Sequence, residues 1–209
     1  MESRAKIISS KRNKRVKISV IPGHFATNHS HINYYVDMTS IKTSYKMAKE
    51  AARDLALNYA GTHIDTIICL EGTEMLGAFL AESISDSGIN RGEDIAVITP
   101  ELNYNNQMIF RDNTQGKIWQ KQVLLLISSA STGKSINRAI DCLKYYNGNL
   151  AAISAIFSAI DELNGISVKA IFTEDDIPGY STSIPSECEQ CKQGNKVDAL
   201  VNSFGYSKI

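Results

Sequence analysis

Residues 123–136, Val-Leu-Leu-Leu-Ile-Ser-Ser-Ala-Ser-Thr-Gly-Lys-Ser-Ile, decide how this chain folds. The first five, 123–127, are the most apolar run in the sequence and read as a strand buried on both faces. Small hydroxyl residues and one glycine follow. Helical spacing then runs to about Tyr146, where Asn147-Gly148 stops it. A strand, a Ser/Thr/Gly loop and a helix start together make an anion site. The N–H groups of the first helical turn point outward unpaired, and the helix dipole is positive there. The purely structural reading of the same residues is a capped helix, with Ser131 or Thr132 as N-cap. Gly133, Lys134 and Ser135 are more than a cap requires. In an open α/β sheet such a loop lies at the carboxyl ends of the strands, where ligands bind.

Working outward, the pattern repeats. Residues 66–70 form another short apolar run, Glu71-Gly72-Thr73 turns the chain, and 74–86 has helical spacing. Residues 95–98 read as a strand ending before Pro100. Residues 101–120 are polar and irregular, with Asn103, Asn105, Asn106, Asn113 and Gly116, a length typical of functional or mobile loops. Residues 150–157 and 168–172 supply two further strands. This alternation predicts an α/β fold with a central, mainly parallel sheet flanked by helices. Ahead of it, 16–21 alternate as a half-buried strand up to Pro22-Gly23, and 24–37 read as a loop or hairpin. A helix is expected over 41–60, capped by Thr39 or Ser40 and closed by Gly61, with Ile41, Tyr45, Ala48, Ala52, Leu55 and Tyr59 as its apolar stripe. After Asp175 the chain turns polar and reads as an extended tail.

The 209 residues suffice for one domain, and 22 basic residues balance 22 acidic ones. A neutral chain lacks the long-range field of a general nucleic-acid binder, so no nucleic-acid partner is expected. The basic run Lys11, Arg12, Lys14, Arg15 and Lys17 reads as a solvated lead-in. No apolar stretch is long enough to span a membrane and no secretory signal is recognisable, so the expectation is a cytoplasmic protein with no membrane partner and reduced cysteines. Cys69 and Cys142 read as core residues. His24, His29 and His31 share one polar loop with no cysteine or acid spaced to join them, so they read as hydrogen-bonding loop histidines. Cys188-x-x-Cys191 is half a zinc pattern or a redox pair; a site shared between two subunits stays open, and no metal ligand is assigned. Asp175-Asp176 reads as surface. Tyr34 and Tyr35 either pack a sheet edge or stack on a base ring.

Two phosphate-loop families compete for residues 128–135. Gly133-Lys134-Ser135 ends like a Walker A loop of a P-loop nucleotide-binding protein, but that signature needs glycine where this chain has Ser128. The better match is the phosphoribosyl diphosphate loop of the type I phosphoribosyltransferases: an aliphatic strand, two acids, two small residues, Thr-Thr-Gly and a helix. Ser131-Thr132-Gly133 resembles the Thr-Thr-Gly, and the two acids align with Ile127 and Ser128.

Gly23-His-Phe25 through Asn33-Tyr-Tyr-Val-Asp37 resembles the N-terminal motif of orotate phosphoribosyltransferases. Thr66-Ile-Ile-Cys-Leu-Glu-Gly-Thr-Glu-Met75 resembles their strand and diphosphate loop, and Pro185-Ser-Glu-Cys-Glu-Gln-Cys-Lys-Gln-Gly194 the Cys-x-x-Cys tail of many of them. The resemblance covers most of residues 23–194, in order. It implies a single phosphoribosyltransferase-like domain over 1–209, with an N-terminal hood and helix at 16–62, a core at 63–175 and a C-terminal tail at 176–209. It also implies that Ser131, Thr132, Gly133, Lys134 and Ser135 hold a 5′-phosphate and that Glu71, Gly72 and Thr73 form the diphosphate loop. The ligand is then phosphoribosyl diphosphate or a nucleotide, the protein is a homodimer, and Mg2+ is the cofactor if the chain is active.

Two departures bear on the chemistry. Ile127 and Ser128 replace the acids that hold the ribose hydroxyls. The stretch matching the lysine-bearing catalytic loop, 99–117, offers only Arg111 and Lys117 as catalytic candidates. Missing preorganised cations cost several kcal/mol where a diphosphate departs. The expectation is therefore an orotate phosphoribosyltransferase-like binder, weak or inactive in transfer. The alternative is an active pyrimidine phosphoribosyltransferase that joins orotate and phosphoribosyl diphosphate into a mononucleotide.

Overall fold

The computed structural model describes residues 1–105 and 107–209; Asn106, one of the asparagines of the irregular stretch, lies outside the described residues. From the N-terminus the elements are β1 (Lys6–Ser9), β2 (Lys17–Ala26), β3 (His31–Asp37), α1 (Thr39–Thr43), α2 (Tyr45–Ala56), β4 (Thr66–Cys69), α3 (Glu74–Ser85), β5 (Ala96–Ile98), β6 (Glu101–Leu102) and β7 (Met108–Ile109). The second half runs α4 (Asp112–Gln115), β8 (Gln122–Ala130), α5 (Lys134–Tyr145), β9 (Asn149–Ser158), β10 (Glu162–Leu163), β11 (Ile166–Thr173), β12 (Thr182–Ser183), α6 (Glu189–Lys192), β13 (Ala199–Asn202) and β14 (Gly205–Lys208).

The central sheet has the order β10-β11-β9-β8-β4-β5. All neighbours pair parallel except the β10–β11 hairpin at one edge. That hairpin turns on Asn164 and Gly165, both at positive φ (53° and 80°), as a tight two-residue turn demands. The period-2 alternation of β8 explains why its whole run is apolar. Leu124 and Leu126 join the core under α2 and α3, with Ala52, Leu55, Leu76 and Leu80. Val123, Leu125 and Ile127 face the other way and pack on Ile136, Ala139, Ile140 and Leu143 of α5. Helices thus cover both faces, and each fully buried leucine contributes about 1.5–3 kcal/mol. Among the described residues no helix is long and apolar enough to cross a membrane.

A second sheet, of order β12-β3-β2-β13-β14 with β1 also on β2, forms the hood. Here the expectation of an extended tail is corrected. β12 adds to β3 antiparallel, and β13 adds to β2 in parallel, pairing Ala199 with Phe25. Ile21, Phe25, Tyr35, Ala199 and Val201 bury their side chains together, which is why a polar-looking tail folds back.

The helix expected over 41–60 is two helices. Ser44 takes an extended conformation (φ −101°, ψ 117°) and its hydroxyl accepts the Met47 N–H, starting a new helix. The second helix ends at Ala56, so Gly61 does not close it, and Tyr45, expected on the apolar stripe, is exposed. Within residues 101–120 the chain forms the β6–β7 hairpin and the single turn of α4. The basic residues at 11–17 are all exposed, as a solvated lead-in should be, and two make surface ion pairs: Lys11 with Asp176 at 2.9 Å and Arg15 with Glu50 at 3.6 Å.

Candidate active site

The five parallel strands enter the sheet in sequence as β4, β5, β8, β9 and β11, but stand in space as β5-β4-β8-β9-β11. The order reverses between β4 and β8, and a crevice opens at the carboxyl ends of those two strands, the place where open α/β sheets bind ligands. A cleft of about 240 Å³ lies there. Ser131, Thr132, Gly133, Lys134 and Ser135 all line it, together with Glu71. The opposite wall comes from the hood: the Thr27–Ser30 turn, Tyr35, and Asn202 and Ser203 after β13.

The loop from β8 to α5 is short because β8 persists through Ala130. Gly133 is the N-cap of α5, at φ 71°, and no side chain caps the helix. This corrects the expectation of Ser131 or Thr132 as N-cap and leaves their hydroxyls free of capping. A Cβ on Gly133 would sit in a left-handed conformation, 2.9 Å from Leu163, so the turn requires glycine. At the start of α5 the charges are of one sign. No acid lies in the first turn of α5, and Lys134 and Arg138, one turn apart, both line the cleft. Two cations at the positive end of a helix dipole repel it, and a bound anion relieves both. Arg138 was missed in the sequence, where the i, i+4 spacing from Lys134 at a helix start was the available signal.

Of the residues expected to form a diphosphate loop, only Glu71 lines the cleft. Thr73 is buried and its hydroxyl donates to the Leu70 and Leu126 carbonyls at 2.9 and 3.2 Å, tying β4 to β8. Glu71 and Gly72 both have positive φ, 60° and 78°, and the strained pair aims the Glu71 carboxylate across the crevice. It accepts a hydrogen bond from the Ser128 hydroxyl at 2.7 Å. Burial raises its pKa, opposed by donors from Ser128, Ser129 and Ser135 and by the charge of Lys42. Lys42, also missed in the sequence, donates to the Glu71 carbonyl at 3.1 Å and to the Ser203 carbonyl, clamping the β4 loop to the β13–β14 turn. Its pKa is lowered by burial, against the pull of Glu71, Glu74 and Asp37.

The catalytic candidates are not at the cleft. Arg111 spends its guanidinium on Glu101, at 2.6 and 3.0 Å, on the exposed β6–β7 hairpin, and Lys117 is exposed; neither lines the cleft. Ile127 borders the cleft but is 1% exposed and packs in the α5 core, and Ser128 is 0% exposed, so neither position aligned with the acids offers a solvated place for a charge. The histidines separate: His29 lines the cleft, whereas His24 and His31 do not. Their reading as loop histidines without cysteine partners is corrected, since both meet Cys188 and Cys191. Phe157 and Tyr180, T-shaped at 5.1 Å, add an aromatic wall.

No protein-family model and no curated protein matches this sequence. Solved structures do. The chain resembles the UMP synthase of Leishmania donovani with a TM-score of 0.59 at 16% identity, covering 76% of this chain and 34% of that one, so it spans about a third of that protein. It resembles the orotate phosphoribosyltransferase of Mycobacterium tuberculosis, solved with Fe(III) dicitrate, with a TM-score of 0.54 at 14% identity over 77% of this chain and 93% of that one. A third likeness is the adenine phosphoribosyltransferase of Thermoanaerobacter pseudethanolicus, with a TM-score of 0.52 at 12% identity over 82% and 96% of the two chains. Two sheets, helices on both faces of the parallel one and a cleft at its switch point give this chain the fold of the type I phosphoribosyltransferases.

Proposed function

We propose that this protein binds the phosphate of a phosphoribosyl compound or nucleotide at residues 131–135, and that it transfers the phosphoribosyl group weakly or not at all. The observation that carries the reading is the convergence, at the switch point of the sheet, of an uncapped helix N-terminus, Lys134, Arg138 and the Glu71 loop. The resemblance to orotate phosphoribosyltransferases supports phosphoribosyl diphosphate as the ligand and a homodimer as the working unit. The charges support weak transfer: Arg111 and Lys117 do not line the cleft, so among the described residues no cation of the 99–117 stretch stands where a departing diphosphate would need it.

A specific feature favours the second reading, an active pyrimidine phosphoribosyltransferase. Glu71 puts a carboxylate 2.7 Å from Ser128 Oγ, beside the position where the family's second acid would stand. An acid lost from β8 is in effect supplied from the end of β4. Magnesium uses one or two carboxylates together with substrate oxygens. Glu71 is the only carboxylate among the described residues that line the cleft, so Mg2+ would arrive held mainly by the diphosphate of its substrate. The Walker A alternative fits poorly, because only Ser131–Gly133 separate β8 from α5 and Ser128 lies inside the strand.

The test is incubation with phosphoribosyl diphosphate, orotate and magnesium, following orotidylate formation beside equilibrium binding of phosphoribosyl diphosphate. Binding without product is the expected result, with Lys134→Ala and Arg138→Ala each weakening binding about 10-fold, the loss of a charge-assisted contact. Product at rates typical of enzymes would overturn the inactive reading and leave the active one.

A further inference from the structure

The ladder between β2 and β3 slips between Pro22 and Phe25, leaving Gly23 and His24 in a bulge. A bulge re-aims a side chain, and this one is held in place from the tail. The Asp198 carboxylate lies where a Gly23 Cβ would be and accepts the His24 backbone N–H at 2.9 Å. The Asp198 N–H returns to the His24 carbonyl at 2.7 Å. The His24 side chain is thereby fixed in a position 2% exposed. Its Nδ1 lies 3.0 Å from the Asn195 carbonyl, which can only accept. The proton therefore sits on Nδ1, and Nε2 presents a lone pair.

That lone pair faces three other donor atoms. His31 Nδ1 is 3.0 Å away, Cys188 Sγ 3.5 Å and Cys191 Sγ 3.6 Å, and Cys191 Sγ lies 3.2 Å from His31 Nδ1. All four atoms lie within 4.8 Å of one another. Tetrahedral zinc, with Zn–N of about 2.0–2.1 Å and Zn–S of about 2.3 Å, sets its ligand atoms about 3.3–3.8 Å apart. Four of the six spacings, 3.0–3.6 Å, are close to those of a coordination shell and the others stay within 4.8 Å, on a scaffold whose orienting hydrogen bond to Asn195 is the kind that fixes a ligating imidazole.

We propose that His24, His31, Cys188 and Cys191 form a closed, four-coordinate structural zinc site that clips the C-terminal segment to the β2–β3 hairpin. Two imidazoles and two thiolates are a donor set that structural zinc takes, and the neutral sum of two thiolates and Zn2+ suits a half-buried place, with His24 and Cys188 buried and Cys191 exposed. With all four positions taken by side chains, the metal has no open site for catalysis. Its work is mechanical: the clipped segment leads into β13 and so to Asn202 and Ser203, which wall the cleft.

The test is metal analysis of the full-length protein purified without chelator, then titration of the reduced, metal-free protein with Co2+. One zinc per chain is expected, and Co2+ should give the visible bands of tetrahedral cobalt with a thiolate charge-transfer band. Cys191 is exposed, so Cys191→Ser should fold. It should halve the thiolate band and weaken Co2+ at least about 100-fold, beyond the ~10–100-fold cost of losing only an outer-shell partner. Absence of the charge-transfer band in reduced wild-type protein overturns the proposal. So does a Cys188–Cys191 disulfide that forms even with excess zinc present, which would make the pair a redox couple.

Discussion

Two corners of this molecule are built from opposite kinds of sequence. The anion-binding wall of the cleft is one contiguous stretch, from β8 into the first turns of α5, where strand, loop and helix start follow within sixteen residues, 123–138. The cysteine–histidine corner gathers His24 and His31 from one end of the chain and Cys188 and Cys191 from the other, up to 167 residues apart. At the first corner the backbone makes the site, through helix N–H groups and a left-handed glycine. At the second the side chains make it, and the backbone only brings them together. The first should therefore tolerate loss of single side chains, while the second should fail as a unit.

Removing the metal tests that difference most severely. Zinc extraction from the reduced protein should lower Tm by about 10 °C or more, as several kcal/mol at roughly 2–4 °C each for a chain of this size. Thermal denaturation with and without chelator would show it, and an unchanged Tm would remove the contrast.

The next effect in size separates two neighbouring residues of β8. Ile127→Glu puts an unpaired charge into the α5 core and should cost about 3–5 kcal/mol of stability by denaturant titration. Ser128→Asp places its carboxylate beside Glu71, where Mg2+ and a ribose hydroxyl could be held. Ser128 is itself fully buried, so the two carboxylates, which can share one proton, should destabilise the metal-free protein less than Ile127→Glu does, and magnesium should restore stability and tighten phosphoribosyl diphosphate. Equal destabilisation by both would contradict the facing assigned to this strand.

The smallest effect is a pH dependence. Burial raises the Glu71 pKa above its ordinary value of 4.5, so the folded state favours the protonated form. The stability this gives is complete below the ordinary value and is lost as pH rises through the raised one. The Tm of wild type relative to Glu71→Gln should fall across that window and level off above it. A difference that grows with pH would mean the carboxylate is stabilised as an anion.

The legibility of the two corners in the sequence follows the same division. Apolar runs exposed β4 and β8 because strands buried on both faces must be apolar throughout, and the loop at 131–135 is marked by its own composition. Arg138 and Lys42 were not visible, since their roles depend on which way a helix face turns and on which loops a lysine can bridge. The tail looked like an extended arm because Ala199 and Val201 are too few to signal a strand; the core residues that bury them, Ile21, Phe25 and Tyr35, lie more than 160 residues earlier. The histidines looked partnerless for the same reason: spacing along the chain says nothing of residues joined by a sheet register.

The proposed phosphate site is the β8–α5 loop at the switch point of the sheet. Calorimetric titration of phosphoribosyl diphosphate into wild type and Gly133→Val tests it most directly, because the valine is strained at φ 71° and meets Leu163 while leaving every charge in place. Saturable binding by the wild type, lost in a variant that still folds, is the predicted result. Equal binding by both proteins, or none by the wild type, would contradict it.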